Sequence, residues 1–484
     1  MKSQNNNNIS NNINSKTNKS SLSWGNYPIS IGTNIYKPNW VEDINGIYQR
    51  INNSIESNAD LGINPQKLSI LPYGKGRSYG DSCLNSNSYL LQMTNLNHFL
   101  ELNEGNGDIS NSNSKLTSIK VEAGVTFDDL LTYLIPKGYF LPVTPGTKYI
   151  TVGGAIANDI HGKNHFSQGT FGNHLLSFGL LRPNSDNELI EFFCSKDENS
   201  ELFNATIGGL GLTGIITWAE FTLKNIVSEY FDNESIKFSN IDEFFDINKE
   251  SEQSFEYTVA WLDCGGMGKK LGRGLYYRAN HSEIPTELNQ LHQNPINNPI
   301  TYPFINSTSV KVFNELYFSK QISKHTKSLI HYEPFFYPLD KIGKWNNLYG
   351  KNGFLQYQFV LPFGDEKNIL KKIINKIANS GFSSFLTVLK TFGNIKSPGL
   401  LSFPQEGVTM AIDFRLDAKV FGLLAELDVI ILDCGGRVYP AKDARMKTET
   451  FMESFPNLEE FKKYKLDNFS SDFWKRVVTK DKKQ

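Results

Sequence analysis

Two glycine-rich runs hold the chemistry this 484-residue chain offers most plainly. The first, Pro72 to Asp81, reads PYGKGRSYGD; the second opens with Pro145-Gly146-Thr147 and continues from Thr151 to Lys163 as TVGGAIANDIHGK. Glycine lets backbone N–H groups converge on an anion, forming a nest for phosphate. Either run alone reads as an ordinary turn. Two of them about 70 residues apart, each bounded by apolar segments, favour a bipartite diphosphate clamp. A third run, Gly209 to Gly214, matches GxGxxG but is a decoy. The Rossmann mechanism needs a strand before the glycines and a helix after them. Here a helix-like segment, Glu201 to Ile207, precedes and a β-rich run from Ile215 follows, so a tight turn beside a ligand or strand is expected.

Polar residues in unexpected company come next. His161-Gly-Lys-Asn-His165, with His174 further on, offers imidazoles, but Gly162 and Asn164 argue against a helix that would align them. No carboxylate stands nearby at a ligand spacing, so no metal site is expected. Burying the HGKNH run would demand a ligand or partner. Gln356 and Gln358 share one side of a strand, and Lys390 and Lys442 each follow apolar stretches. The ordinary reading of the lysines is snorkelling surface residues; that of the glutamines is a solvent-facing strand side.

The elements that must position these groups are partly readable. Thr126 caps a helix running to Ile135, with Asp128 and Asp129 at its positive end and Pro136 and Gly138 ending it. Residues 354–361, 382–389 and 408–414 read as strands and 365–380 as a helix. Strands mixed with helices in this order predict an α+β layer. Residues 1–23 form an Asn-rich tail expected to be disordered. Residues 101–115 read as a tolerated polar insertion in a hairpin, and residues 281–309 as a mobile loop. A second unit begins near Ile226.

Composition narrows the partners. Lys plus Arg is 49 and Asp plus Glu is 50, a net charge of -1 that gives no footprint for nucleic acid. Four scattered cysteines without a CxxC pair suit reduced thiols in a reducing compartment. The longest apolar stretch, Val420 to Leu432, is interrupted by Glu426 and Asp428, and no secretory signal is visible. A cytoplasmic protein without a membrane span is expected, with a peripheral membrane contact left open.

Taken together, GRSYGD at Gly76, PGT at Pro145, TVGGAIANDIHGKNH at Thr151, FGNH at Phe171, GLTGII at Gly211, FLQYQFV at Phe354 and AKDAR at Ala441 resemble the FAD-dependent oxidases of the vanillyl-alcohol-oxidase superfamily. The likeness runs from about Trp24 to near Lys475 and is strongest to the branch acting on lipid-linked ribose. It implies a two-domain PCMH-type FAD-binding fold with a mixed or antiparallel-sheet substrate domain. FAD binding would fall to residues 24–225, substrate binding to 226–436, and residues 437–484 would return to the FAD-binding domain. It carries over Gly74, Gly76, Arg77, Ser78, Tyr79, Gly80, Gly146, Thr151, Val152, Gly153, Gly154, Asn158, His161, Ile215 and Tyr439 as cofactor contacts. Lys163, Gln356, Gln358, Lys390 and Ala411 fall on the substrate side, with Lys442 or His161 as the catalytic base.

Relatives often tether FAD through a His in GxGHS; Arg77 in that place implies a non-covalent cofactor. Mycobacterial members carry a Cys where this chain has Ala411, and an Asn is usual where it has Thr409. The implied reaction oxidises a secondary alcohol of a sugar, the 2′-hydroxyl of a polyprenyl-phosphate-linked ribose, to a ketone by hydride transfer to flavin N5, with a short-chain reductase as the implied partner. Oxidation of free sugars or aldonolactones is the alternative, and a flavin-binding protein without turnover the second.

Overall fold

The computed structural model describes residues 23–60, 68–105, 116–288, 296–297 and 305–478. Nearly all of the Asn-rich tail, residues 106–115 of the expected hairpin insertion, and residues 289–295 and 298–304 of the expected loop lie outside them.

The helix expected after Thr126 is present as Phe127–Leu134. Its capping box is closed by Asp129 N donating to Thr126 Oγ1 at 3.1 Å and Thr126 N donating to the Asp129 carboxylate at 3.0 Å. Pro136 lies in a short 3₁₀ turn, and Gly138 leaves it at φ 81°, a left-handed stop. The apolar side of the helix packs on an antiparallel five-stranded sheet. That sheet runs in the order Phe99–Asn103, Ser118–Glu122, Ile215–Thr222, Leu175–Pro183 and Leu189–Ser195. The decoy glycines sit as expected, between the helix Ser200–Thr206 and the strand Ile215–Thr222. A three-stranded parallel sheet, Asn34–Tyr36, Tyr89–Gln92 and Ile70–Tyr73, delivers the chain into the first glycine run.

The second half builds an eight-stranded sheet whose pairs are all antiparallel. Its order is His325–His331, Tyr230–Phe238, Gly274–His281, Tyr257–Leu262, Thr387–Phe392, Gly407–Arg415, Phe354–Leu361 and Arg437–Val438. The helices Ile241–Ser251, Glu366–Asn379 and Ala418–Asp433 cover one face with a continuous apolar core. The expected strand at 382–389 is shifted toward the C-terminus, to Thr387–Phe392. Arg437–Val438 belongs to this sheet, pairing with Phe354–Leu361.

Ala418–Asp433 is the apolar stretch that the sequence singles out, and its two acidic interruptions have different fates. Glu426 pairs with Lys376 at the surface. Asp428 is buried, taking Tyr357 Oη at 2.7 Å and a two-pronged Arg445 guanidinium at 2.5 and 2.7 Å. No helix among the described residues is long and apolar enough to cross a membrane. Beyond Pro440 the chain returns to the N-terminal half. Leu466 N donates to Leu212 O, Phe469 bridges Ile70, and Arg476 grips Asp81.

Candidate active site

The two glycine runs meet along one wall of a cavity of about 720 Å³ that also reaches the uncovered face of the eight-stranded sheet. The first run leaves the strand Ile70–Tyr73 and turns at Gly76, whose φ of 60° suits glycine. A Cβ on Gly74 would stand 2.3 Å from Thr151 Oγ1, so the absent side chain lets the two runs touch. Among the described residues, no protein acceptor faces the amides of Lys75, Gly76, Arg77 or Ser78. Arg77 lies over the Trp24 ring at 4.3 Å, and burial lowers its pKa. Beside them, Gly146 has no heavy atom within 4 Å of an added Cβ.

The second run works differently from a nest. Thr151 caps the helix Val152–Ala157 by accepting from Gly154 N at 3.2 Å. Val152 N donates to Val125 O and Gly153 N to Ala123 O, at 2.9 and 2.8 Å. These amides already have acceptors, so the expected convergence of N–H groups belongs to the first run. What Gly153 and Gly154 provide is a cavity wall without side chains. Asn158 fixes the end of the run: its Nδ2 donates to Gly154 O at 2.8 Å, and its carbonyl accepts from Tyr439 Oη at 3.0 Å.

Most of the residues named from sequence line this cavity, and three do not. Val152 is buried in the five-stranded sheet's core, and Ile215 points into a separate apolar cluster, leaving Gly214 and Ile216 at the wall. Gly80 is needed for a contact between segments, since a Cβ there would lie 1.8 Å from Asp443 O.

On the sheet side, the surface readings of the lysines and glutamines give way to burial. Gln356 and Gln358 project from Phe354–Leu361, and Thr409 and Ala411 from Gly407–Arg415. Lys390 comes from Thr387–Phe392, Lys442 from the turn Pro440–Lys442, and Lys163 from the loop after the second glycine run. Lys390 Nζ donates to Gly162 O at 2.8 Å and Lys163 Nζ to Phe335 O. Lys442 Nζ stands over the Tyr79 ring at 5.4 Å and makes no hydrogen bond among the described residues.

Burial lowers Lys163 to about 7 and Lys390 well below its ordinary value, the latter with help from Lys442 and Lys163. Burial lowers Lys442 to about 8, against an opposing pull from Asp413. Sequence reasoning passed over Asp413 as a site residue. Burial raises its carboxyl to about 7, with Gln356, Lys442 and Tyr349 acting the other way. Gln356 Nε2 donates to its Oδ1 at 2.5 Å and Tyr349 Oη to its Oδ2 at 3.3 Å. A carboxyl inside the otherwise apolar MAIDF strand was the available signal.

The tautomer of His161 follows from its neighbours. Thr409 Oγ1 donates to Phe359 O at 2.8 Å, so it accepts from the Gln358 amide at 3.1 Å. The same NH₂ lies 3.1 Å from His161 Nε2, which therefore accepts and leaves the proton on Nδ1. Burial, then Lys390, Lys442 and His165, holds the ring well below its usual pKa and neutral. The open amides, the side-chain-free wall and the converging lysine amines, which an anion would draw to their charged forms, fit a dinucleotide diphosphate and an anionic ring system.

The FAD binding domain family model matches residues 63–187. The chain is 36% identical over 404 residues to the decaprenylphosphoryl-beta-D-ribose oxidase of Mycolicibacterium smegmatis, covering 81% of this chain and 84% of that protein. An uncharacterized protein of the mprA 5′ region in Streptomyces coelicolor is 28% identical over 73% of this chain and 100% of its own length. The D-arabinono-1,4-lactone oxidase of Eremothecium gossypii is 26% identical over 36% of this chain and 31% of its own. The chain belongs to the family of the mycobacterial ribose oxidase, within the vanillyl-alcohol-oxidase superfamily, and is an FAD-dependent oxidoreductase acting on CH–OH groups.

Proposed function

We propose that the protein oxidises a secondary alcohol of a sugar to a ketone, its substrate being the 2′-hydroxyl of a polyprenyl-phosphate-linked ribose. The observation that carries the chemistry is Lys442: an amine with no hydrogen-bond acceptor among the described residues, inside the cavity, lowered by burial to about 8. FAD, when bound, supplies the hydride acceptor. Lys442 Nζ takes the hydroxyl proton as the C–H electron pair leaves the carbinol carbon. Neutral His161, carrying its proton on Nδ1 and accepting from Gln358 at Nε2, is the weaker base and a fixed wall of the pocket. Burial disfavours the charged forms of Lys163 and Lys390; a bound phosphate or the anionic reduced cofactor would raise both amines toward their charged forms and be held by them. Gln356 and Gln358 orient the sugar, with Ala411 and Thr409 shaping the space beside them.

In this reading FAD is held without a covalent bond by residues 24–225 and the chain beyond Pro440. The expected boundary at 437 moves, because Arg437–Val438 pairs with Phe354–Leu361 and so belongs with residues 226–436 on the substrate side of a PCMH-type fold. The mycobacterial relative's name supports a lipid-linked sugar; a reductase partner rests on the family likeness alone. The test mixes purified FAD-loaded protein anaerobically with polyprenyl-phosphoryl ribose, free pentoses and aldonolactones. Flavin bleaching and a ketone product two mass units lighter are expected with the lipid-linked sugar. Faster bleaching by an aldonolactone would replace the proposed substrate. No bleaching by any alcohol would leave a flavin-binding protein without turnover.

A further inference from the structure

We infer that the outer face of the helix Ser307–Ser319, with the turn after it, docks on an anionic lipid bilayer. The inner side of this helix is well anchored. Asn314 Nδ2 donates to Asp263 Oδ1 at 2.9 Å and to Ser384 O at 3.1 Å. Tyr317 pairs its hydroxyl with that of Tyr277 at 3.0 Å and packs its ring on Trp261 at 4.8 Å. The outer side is apolar and uncovered among the described residues. Val312 is 55% exposed, Phe313 43%, Leu316 66%, and Ile322 in the following turn 93%. Val312, Phe313 and Leu316 share one side of the helix. An exposed apolar cluster of this kind marks a contact surface rather than an ordinary solvent face.

Charge identifies the partner. From Asn306 to His331 the chain carries four lysines, at 311, 320, 324 and 327, and one carboxylate, Glu315. Glu315 is already engaged by Arg273 and Lys270, each at 2.8 Å. The turn that supplies Lys270 to the helix begins at Met267, itself 58% exposed. Lys324 and Lys327 pair with Glu243 and Glu234, whereas Lys311 and Lys320 are exposed and have no carboxylate partner among the described residues. A helix with an apolar outer stripe and flanking lysines lies in a bilayer interface, and anionic head groups complement the cations. Placement adds to this, because Tyr317, Lys320 and Ile330 also line the large cavity. The docked face therefore sets the cavity beside the membrane surface. The inference goes beyond the proposed chemistry and does not require it.

The test uses the full-length FAD-loaded protein and sedimentation with vesicles, without substrate. Vesicles of phosphatidylcholine with roughly 30% phosphatidylglycerol should bind the protein at least about tenfold better than phosphatidylcholine alone, and about 0.5 M salt should release most of it. Leu316→Asp and Ile322→Asp should each lower the bound-to-free ratio about tenfold, and Lys311→Glu should do so on anionic vesicles. FAD content and thermal midpoint should match the parent in all three. Absence of binding to anionic vesicles overturns the inference, as do variants that bind like the parent. A parent dimer that Leu316→Asp converts to a monomer, with no vesicle binding, would assign the face to a second copy instead. Vesicle binding is scored without turnover, so failure of the sugar-oxidase reading would leave this result standing.

Discussion

Lys442 and Asp413 oppose each other inside one pocket, and the sign of that opposition fixes a pH profile. A base must be neutral to accept a proton, and burial has moved Lys442 to about 8. The rate of anaerobic flavin bleaching should therefore climb with pH and level off above about 8. Lys442→Ala should retain FAD, since the open amides lie in the first glycine run, and should bleach ~10²–10⁴-fold more slowly. Partial recovery by small added amines would favour proton transfer over simple charge; bleaching at the parent rate would remove Lys442 from the mechanism. His161 should titrate nowhere in this profile, because burial and the neighbouring lysines hold it neutral. The cofactor gives a second measurement at this scale. With Arg77 facing the cavity in place of a nucleophilic His, acid precipitation should release all the flavin to the supernatant. Yellow colour staying with the pellet would contradict a non-covalent cofactor. The sequence made Lys390, Lys442 and the glutamine pair visible as polar breaks in apolar stretches. It did not make Asp413 legible, because that carboxyl acquires meaning only when strand pairing sets it opposite Gln356. The His161 tautomer was equally hidden, depending on Thr409 and Phe359 some 250 and 200 residues away.

Local signals carried furthest at the scale of elements. The capping box of Phe127–Leu134, the alternation of Phe354–Leu361 and the reversed order around Gly209 to Gly214 all depend on near neighbours, and all were readable. The work of the two glycine runs was readable only in part, because hydrogen bonds donated to the carbonyls of Ala123 and Val125 decide which amides stay open. Two substitutions separate ligand contact from packing. At Gly80 a Cβ would fall 1.8 Å from Asp443 O, so backbone must move. Gly80→Ala should lower stability by about 1–3 kcal/mol or more, read by denaturant melts even without FAD. Gly146 has open space around its Cβ position, so Gly146→Ala should leave the apo melt unchanged. Its effect should appear as weaker FAD binding in a fluorescence titration. An apo protein destabilised by Gly146→Ala, or a Gly80→Ala protein as stable as the parent, would reverse these assignments. Gly153→Val belongs with the first kind, since its Cβ would press within 3.1 Å of Ala123 Cβ.

At the scale of the whole molecule, the last turns of the chain close the site from behind. Arg476 reaches Asp81 at 2.7 and 2.9 Å and Asp443 at 2.9 Å, joining the residue after Gly80 to the residue after Lys442. Both carboxylates are buried, at 3% exposure each. Asp443 also accepts from Arg445 N at 3.0 Å and Met446 N at 2.7 Å, while the Arg476 guanidinium supplies compensating charge to both. Arg476→Ala would leave two buried carboxylates facing one another, a loss of about 3–5 kcal/mol. The pH dependence of that loss has a definite sign. Burial already raises the Asp81 carboxyl, with Arg476 opposing, and removing Arg476 raises it further. A carboxyl whose folded pKa exceeds its unfolded value is stabilised in the folded state by protonation, and that stability is lost as pH rises through the folded value. The stability gap between parent and Arg476→Ala should therefore be widest near pH 8 and narrow toward pH 5. Denaturant melts at the two pH values measure the gap, and FAD titration of the same samples should show weaker binding, since the Gly76 turn and Lys442 flank the joined carboxylates. A gap that is constant with pH would mean that Arg476 acts through packing on Phe473, whose ring lies 5.2 Å from it, rather than through charge.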